Sequence, residues 1–389
     1  MAGKRLKVAY SFPFRLGAPG IGAAALGQIR ALAERNCSVQ VFCWSNPQRI
    51  PGAKVFQTQN VVPIPHRMLG LERACRLHDR VTAALLRSWA EPFDIVHTWP
   101  LAAEFTLAAA RARHWVGVRE APNTHTAHAF SVVAKEHQAL GIPQERHNSH
   151  TFDPIVMDRE HREYDAASLI LAPSEAAIET FVRHGVPRAK LALKSYGFDP
   201  LQYKSHAGAR ANPEVIFSFV ARCEPRKGLH LALQAWRGSG IADHSKFRVT
   251  GRFIPGYREH LLPLLQHRNV SERDFVDDLR PVYQAADVLV LPSIEDGSAL
   301  VTYEAQASGC ALLVSDAAGA RFTDGAEGFL HRTGDVATLA QQMRALVADS
   351  ALLLRMQKAA AVNAQQYTWE RATESLIEAY QEALAARNA

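Results

Sequence analysis

The chain has 389 residues, 48% of them hydrophobic and 21% charged, with a net charge of +6 and a pI near 9.1. That length exceeds one ordinary core and predicts two domains, and the composition excludes a disordered or low-complexity chain. The five cysteines, Cys37, Cys43, Cys75, Cys223 and Cys310, form no CxxC pair, which argues against a zinc site and for a reducing compartment.

The N-terminal MAGKRLKVAYSF enters a strand pattern and Pro13 without an apolar signal core, and no later run is long enough to span a bilayer. A cytoplasmic protein is expected. LKVAYSF reads as a first strand, GIGAAALGQIRALAERN as a helix and SVQVFCW as a strand. Between His66 and Trp89 one helix is predicted, with Arg73, Arg76, Arg80 and Arg87 near one stripe beside Leu69, Leu77, Val81 and Leu85, and with Glu72 and Asp79 moderating the charge. Such a stripe suits either ordinary solvation or contact with an anionic membrane at the inner face of the cytoplasmic membrane. FDIVHTW, LAAEFTLAAARARH and WVGVRE then read as strand, helix and strand, followed by SLILAP, the helix SEAAIETFVRHG and the strand-like KLALKSY.

This βαβ rhythm of a parallel sheet relaxes over GFDPLQYKSHAGARANP, the best interdomain linker in the chain. It restarts with the strand VIFSFVA, the helix GLHLALQAW, the strands KFRVTG and ADVLVLPS, the helix SALVTYEAQASG and the strand CALLVS. From Asp335 onward the pattern is helical, with Thr368 an N-cap before a final helix. The expected fold is α/β: two Rossmann-like domains, over residues 1–197 and 198–367, with 368–389 as a separate last helix.

The chemistry-bearing stretch is DGSALVTYEAQASG, where Asp296 and Glu304 stand eight positions apart after a buried strand. Small residues Gly297, Ser298 and Ala299 allow a sharp turn into a helix whose free N–H groups attract phosphate, and Glu304 suits a vicinal diol such as ribose. Arg222 falls at the carboxyl edge of the second domain's first strand and Lys227 just before the next helix. Two cations there can neutralise a diphosphate leaving group without a metal. A solvated Arg-Lys turn is the ordinary alternative for that motif alone. Gly17, Gly20 and Gly22 precede the first helix, where backbone N–H groups could approach a phosphate or an acceptor hydroxyl. No acid ends SVQVFCW, which disfavours a dinucleotide site.

Taken in order, VARCEPRKGLHLALQAW, YQAADVLVLPSIEDGSALVTYEAQASGCALLVSD, GFLHRTGDVATLAQQM and YTWERATESLIEAY resemble the nucleotide-sugar half of the retaining glycosyltransferases of family 4, which have the GT-B fold. KVAYSFPFRLGAPGIGAAALGQIRALAERNCSVQVF, FDIVHTW and SLILAPSEAAIETFVRHGVPRAKLALKSYGFDPLQY are similar to that family's first domain, so the resemblance spans essentially the whole chain. It implies two domains facing across a cleft, donor in the second and acceptor mainly in the first, with the C-terminal helix crossing back to the first. Carried over, it implies that Arg222 and Lys227 hold the donor diphosphate, Glu304 the ribose, and the backbone of Gly297, Ser298, Ala299, Leu300 and Val301 the sugar and phosphate. The first acid of the family's pair is Asp296 here, shorter by one methylene, so either Asp296 reaches the sugar through a shifted loop or neighbouring Glu295 supplies the acid. Ser298-Ala299 replaces the family's usual Phe-Gly, which alters the surface near the donor sugar.

REAPNTHTAH offers Glu120, Asn123, His125 and His128 at the cleft edge. The resemblance implies a histidine close to the donor sugar, and His125 is the choice. His125 and His128 lack an evident third ligand, so no metal is expected. His97 is read as packed against the sheet edge. The expected activity is transfer of a hexose-type sugar from a nucleoside diphosphate sugar, with no cofactor, to a hydroxyl on a sugar, a lipid-linked sugar or a small molecule, in bacterial surface polysaccharide or glycoconjugate synthesis. A nucleotide-sugar epimerase of the same fold and a non-catalytic nucleotide-sugar-binding protein remain alternatives. No nucleic-acid partner is expected, since only the pI suggests one.

Overall fold

The computed structural model describes residues 5–61, 66–145, 150–207 and 214–388. The first sheet contains β1 (Lys7–Arg15), β2 (Ser38–Ser45), β3 (Ala53–Gln57), β4 (Ile95–Thr98), β5 (Val116–Glu120), β6 (Leu169–Ala172) and β7 (Leu191–Leu193). Its order is β3-β2-β1-β4-β5-β6-β7, with every neighbouring pair parallel. The order reverses between β1 and β4, and side chains leaving the carboxyl ends there face a crevice. The connecting helices are α1 (Ile21–Glu34), α2 (His66–Leu69), α3 (Leu71–Arg87), α4 (Glu104–Ala112), α5 (Thr126–Leu140), α6 (Pro154–Ala166) and α7 (Glu175–Arg183).

The second sheet contains β8 (Val215–Val220), β9 (Ser245–Thr250), β10 (Val270–Arg273), β11 (Val288–Leu291), β12 (Ala311–Ser315) and β13 (Gly328–His331), in the order β10-β9-β8-β11-β12-β13. Around it lie α8 (Leu229–Gly238), α9 (Tyr257–Leu265), α10 (Arg280–Gln284), α11 (Leu300–Ala307), α12 (Val336–Ala348) and α13 (Ser350–Ala364). All six residues of β8 and all four of β11 are buried, because helices cover both faces of a parallel sheet. Each such Val, Leu or Phe contributes about 1.5–3 kcal/mol by leaving water.

The last helix, α14 (Trp369–Asn388), returns to the first sheet. Leu376 and Tyr380 join the core formed by β1, β2 and α1, and Arg35 pairs with Glu370 at 2.9 Å and Glu374 at 2.6 Å. The chain therefore crosses between domains twice, and the crossings touch: Phe198 N–H donates to Tyr367 O at 3.0 Å, and Trp369 N–H to Phe198 O at 3.1 Å. Positions 208–213 of the predicted linker lie outside the described residues.

Three parts of the sequence expectation need correction. The helix from His66 to Trp89 is two, because Gly70 takes φ +74° and turns the chain between α2 and α3. Asp79 does not moderate surface charge. It is buried and accepts from the N–H groups of Phe105 and Thr106, 2.9 and 2.8 Å away, at the start of α4. Strands β3, β10 and β13 and helices α5, α6, α9 and α10 were not expected at all.

Candidate active site

Two turns at the carboxyl edge of the second sheet meet at the site. After β8 the chain makes a single 3-10 turn over Pro225–Lys227 and then Gly228 opens α8 at φ +72°. A Cβ on Gly228 would lie 2.0 Å from Pro292 O, so only glycine lets this turn seat on the end of β11. Ile294 N–H donates to Arg226 O at 2.7 Å and stitches the basic turn to the acid loop. The result brings Lys227 and Asp296 together: Lys227 Nζ donates to Asp296 Oδ2, and both side chains are largely buried. Asp296 also accepts from Gly297 N–H at 3.1 Å.

Glu295 faces elsewhere. Its carboxylate accepts from Thr124 Oγ1 at 2.6 Å and Thr124 N–H at 3.2 Å, both on the first domain, and from Arg226 Nη1 at 3.1 Å. His150 Nε2, also of the first domain, stands 3.6 Å away. Arg226 is buried and donates Nε to Glu224 Oε1 at 2.9 Å. Burial alone would raise both carboxyls, yet Arg226, together with His150 and Lys227, holds Glu224 and Glu295 down at about 2. Glu295 is thus an interdomain latch with its lone pairs committed. Sequence reasoning missed Arg226, Thr124 and His150. For Arg226 the available signal was its place between Pro225 and Lys227.

Arg222 is half-exposed and pairs with Glu145 Oε2 of the first domain at 2.7 Å, while His230 Nε2 lies 2.7 Å from Glu136 on α5. Carboxylates of the first domain thus cover basic groups of the second. Gly297 is where the backbones meet: Ser174 Oγ donates to Gly297 O at 2.7 Å, and a Cβ on Gly297 would lie 2.0 Å from Pro122 O. Gly297→Ala should force the Pro122–Asn123 backbone off the acid loop. We expect turnover to fall at least about tenfold with unfolding cooperativity retained, measured by any activity assay beside a thermal melt; unchanged turnover would mean this contact is dispensable.

The rest of the acid loop is fixed from below. Ser298 Oγ is 2.7 Å from Tyr303 OH and donates to Gly319 O at 2.9 Å, and Ala299 precedes α11 with no side-chain cap. The first-turn N–H groups of Leu300 and Val301 therefore keep the anion-attracting character of a helix start. Glu304, on α11, accepts from Tyr283 OH at 2.9 Å and is also hydrogen-bonded by Tyr203, from the interdomain linker. Burial raises its carboxyl to about 7 against these two hydrogen bonds.

In the first domain the predicted residues disperse. The ring of His125 does not reach toward the donor loop: it caps α5 by accepting from Ala127 N–H at 3.2 Å and stacks on His184 with centroids 4.4 Å apart. Burial, with His184 and His161 adding to it, lowers His125 to about 3, so it is neutral at physiological pH. The neighbour that meets the acid loop is Thr124. Glu120 is not at the cleft edge but fully buried, 3.2 Å from His97 Nε2 and 3.7 Å from Lys194 Nζ. His97 stacks on Tyr10 and bonds Tyr380 OH through Nδ1 at 2.6 Å, a packing role that ties α14 to the sheet. Gly17 and Gly20 take φ +75° and +78° in the turn before α1, and Gly22 abuts Arg15 O, where a Cβ would come within 2.8 Å.

Beside this loop the first domain encloses a cavity of about 750 Å³ whose lining includes Asn123, Thr124 and His150. Thr124 and His150, which meet Glu295, are thus among its lining residues. Among the described residues no three His, Cys, Asp or Glu side chains gather as a metal-holding group.

Residues 20–200 match the model of Glycosyltransferase Family 4 and residues 214–349 that of Glycosyl transferases group 1, so that most of the chain is matched. The D-inositol 3-phosphate glycosyltransferase of Nocardia farcinica is 27% identical over 94% of this chain and 85% of its own length. That of Mycolicibacterium vanbaalenii is 29% identical over 95% and 86%. Among solved structures, sucrose-phosphate synthase from Thermosynechococcus elongatus superposes with a TM-score of 0.73 at 20% identity, covering 98% of this chain and 100% of that one. HepE of Anabaena with UDP and glucose gives 0.68 at 17% identity, covering 97% and 100%. Both share this fold.

Proposed function

The chain belongs to glycosyltransferase family 4 and is a glycosyltransferase, and we propose that it moves a hexose-type sugar from a nucleoside diphosphate sugar to a hydroxyl acceptor with retained anomeric configuration. The observation that carries this reading is the Lys227–Asp296 pair, set where the turns after β8 and β11 meet, with Arg222 in the turn after the same strand. The solved neighbour that holds UDP and glucose supports a nucleotide-sugar donor. The relatives named for an inositol phosphate support a hydroxyl acceptor.

The donor diphosphate takes the place of Glu145 on Arg222 and approaches Lys227, which neutralises charge as the leaving oxygen departs. The bond from the anomeric carbon to that oxygen breaks, its electron pair leaving with the nucleoside diphosphate. The acceptor oxygen bonds the same carbon from the same face, and its proton passes to the departing diphosphate. Asp296 orients the sugar, released from Lys227 as the diphosphate binds. The shorter acid at this position fits the close approach of its loop to Pro122 and Asn123. No metal is assigned a part, and the acceptor approaches from the first-domain cavity. The setting is synthesis of a surface polysaccharide or glycoconjugate, with the exposed arginines of α3 resting against anionic lipid at the cytoplasmic face of the membrane. Among the described residues no helix is long and apolar enough to cross a membrane.

Glu304 holds the ribose hydroxyls, and its raised pKa sets a test. A diol donates to the carboxylate, so donor affinity should rise as pH increases through about 7 and fall below it, where Glu304 is protonated. Thermal shift with UDP-, GDP-, ADP- and dTDP-sugars across pH 6 to 8 reads this directly, since a ligand stabilises in proportion to its affinity. One donor should stabilise the protein more at the upper end, and Glu304→Gln should weaken binding and flatten the pH dependence. No stabilisation by any nucleotide sugar would remove the reading.

A further inference from the structure

We propose that Tyr203 of the interdomain linker is a positioning residue for donor recognition: its hydroxyl fixes the Glu304 carboxylate to receive a ribose diol, which ties the selection of ribose over deoxyribose to the seating of the linker. This deepens the reading of Glu304 as the ribose anchor and rests on it. The linker is built to bring Tyr203 there. Just past the crossing at Phe198, Asp199 closes a tight turn: its carboxylate accepts from Leu201 N–H and from the Gln202 side chain, each at 2.9 Å. Its carbonyl accepts from the N–H groups of Gln202 and Tyr203 at 3.0 and 3.2 Å. Leu201 at the tip is exposed, whereas Tyr203 turns back and packs against the cores of both domains. Its ring meets Tyr283 of α10 edge to face, with centroids 6.0 Å apart.

Glu304 thus takes two phenolic hydroxyls from two different elements: Tyr283 donates to Oε2 at 2.9 Å, and Tyr203 donates to the same carboxylate. Burial, with Glu304 adding to it, pushes both phenols upward, so both stay protonated and serve it as donors. An ionised carboxylate offers about four acceptor sites, so two remain for the 2′ and 3′ hydroxyls. Held from two sides, the carboxylate plane is fixed before the donor arrives, and the diol meets acceptors already aimed. Among the described residues the other titratable groups around the pair are Asp278 and Arg280, which bond each other at 2.7 Å beside Tyr203, and the Cys310 thiol near Tyr283. Burial and the two hydroxyls set the proton affinity of Glu304, holding it at about 7. Deleting one hydroxyl removes a bond that favours the ionised form and raises Glu304 further. A tyrosine that only filled space would leave that proton untouched when replaced by phenylalanine, which keeps the ring.

The test is calorimetric titration of UDP against 2′-deoxy-UDP, GDP against 2′-deoxy-GDP and ADP against 2′-deoxy-ADP between pH 6 and pH 9, with the wild type, Tyr203→Phe and Glu304→Gln. The ratio of the two affinities cancels the titration of the phosphates, which both members of a pair share. At pH 8 the wild type should bind one ribonucleotide at least about tenfold more tightly than its deoxy form, and the ratio should decline as pH falls through about 7. In Tyr203→Phe the decline should be centred roughly one pH unit higher, so that the ratio is lowered at pH 7 and largely restored at pH 9. Glu304→Gln should give a small ratio that does not vary with pH. A Tyr203→Phe ratio that follows the wild-type curve, or one lowered equally at every pH, overturns the proposal and leaves Glu304 as the anchor. A wild type that binds no nucleoside diphosphate, or binds them without preferring ribose, overturns the anchor reading and this proposal with it.

Discussion

Lys227→Ala is expected to lower turnover by about 10²–10³-fold at saturating donor, with little change in thermal stability. Removing one preorganised charge from a leaving group is costly because nothing else in the site can move to replace it. Arg222, in the same turn region and half-exposed, is already engaged by the diphosphate once Glu145 is displaced and cannot also fill the place of the lysine, and Arg226 is spent on Glu224 and Glu295. Stability should survive because Asp296, left without its lysine, keeps the Gly297 N–H. Lys227→Arg should retain charge but put a bulkier planar guanidinium into the largely buried space beside Asp296, and fall between the two. Turnover of Lys227→Ala within a few-fold of wild type would remove the lysine from the chemistry.

The largest effect on stability is expected from Arg226→Ala, a loss of about 3–5 kcal/mol measured by urea or thermal unfolding. The substitution leaves Glu295 and Glu224 buried without their shared cation, in a place where burial alone pushes both carboxyls upward. The pH dependence follows in sign. Groups depressed to about 2 contribute stability that is complete above the ordinary carboxylate range and is lost as pH falls through about 2. In Arg226→Ala that depression is relieved, so the stability lost relative to wild type should be largest near neutral pH and shrink as pH falls through the carboxylate range. Glu295→Gln, which keeps a carbonyl oxygen for Thr124, should cost less. An Arg226→Ala protein as stable as wild type at pH 7 would show that the buried latch carries no stability.

The sheet interiors were readable in the sequence because parallel strands buried on both faces leave continuous apolar runs, as in VIFSFV and VLVL. The unread strands sit toward sheet edges: β10, VSER, is mostly exposed, and β3, AKVFQ, is only half-buried, so neither has a hydrophobic signature. Helix α6 escaped for a different reason. The face it buries is Arg159, Glu160, Glu163 and Tyr164, a polar surface satisfied by Arg119, Thr126 and Glu72, and no apolar period marks it.

The site divided along the same line. Lys227, Asp296 and Glu304 were found because their spacing follows a strand, a turn and a helix within one domain. Thr124 and His150 act on Glu295, and Glu145 on Arg222, from the other domain, where proximity is created only by folding, and spacing carries no record of it. His125 shows the converse: adjacent in sequence to the residue that matters, its ring is turned by the first turn of α5 onto His184. The choice between Asp296 and Glu295 also needed the fold, since neighbours in a loop diverge and only geometry shows that Glu295 is already occupied by Thr124 and Arg226.

The most direct test follows the anomeric centre itself. The protein is incubated with each of the four nucleotide sugars, and proton NMR records the nucleoside diphosphate released and the first anomer of the sugar that appears, on water where no other acceptor is supplied. One donor should be consumed, with the configuration of its anomeric carbon preserved in the initial product and the rate lost in Lys227→Ala. Absence of release from every donor, or an inverted initial anomer, would contradict a retaining transfer at the Lys227–Asp296 site.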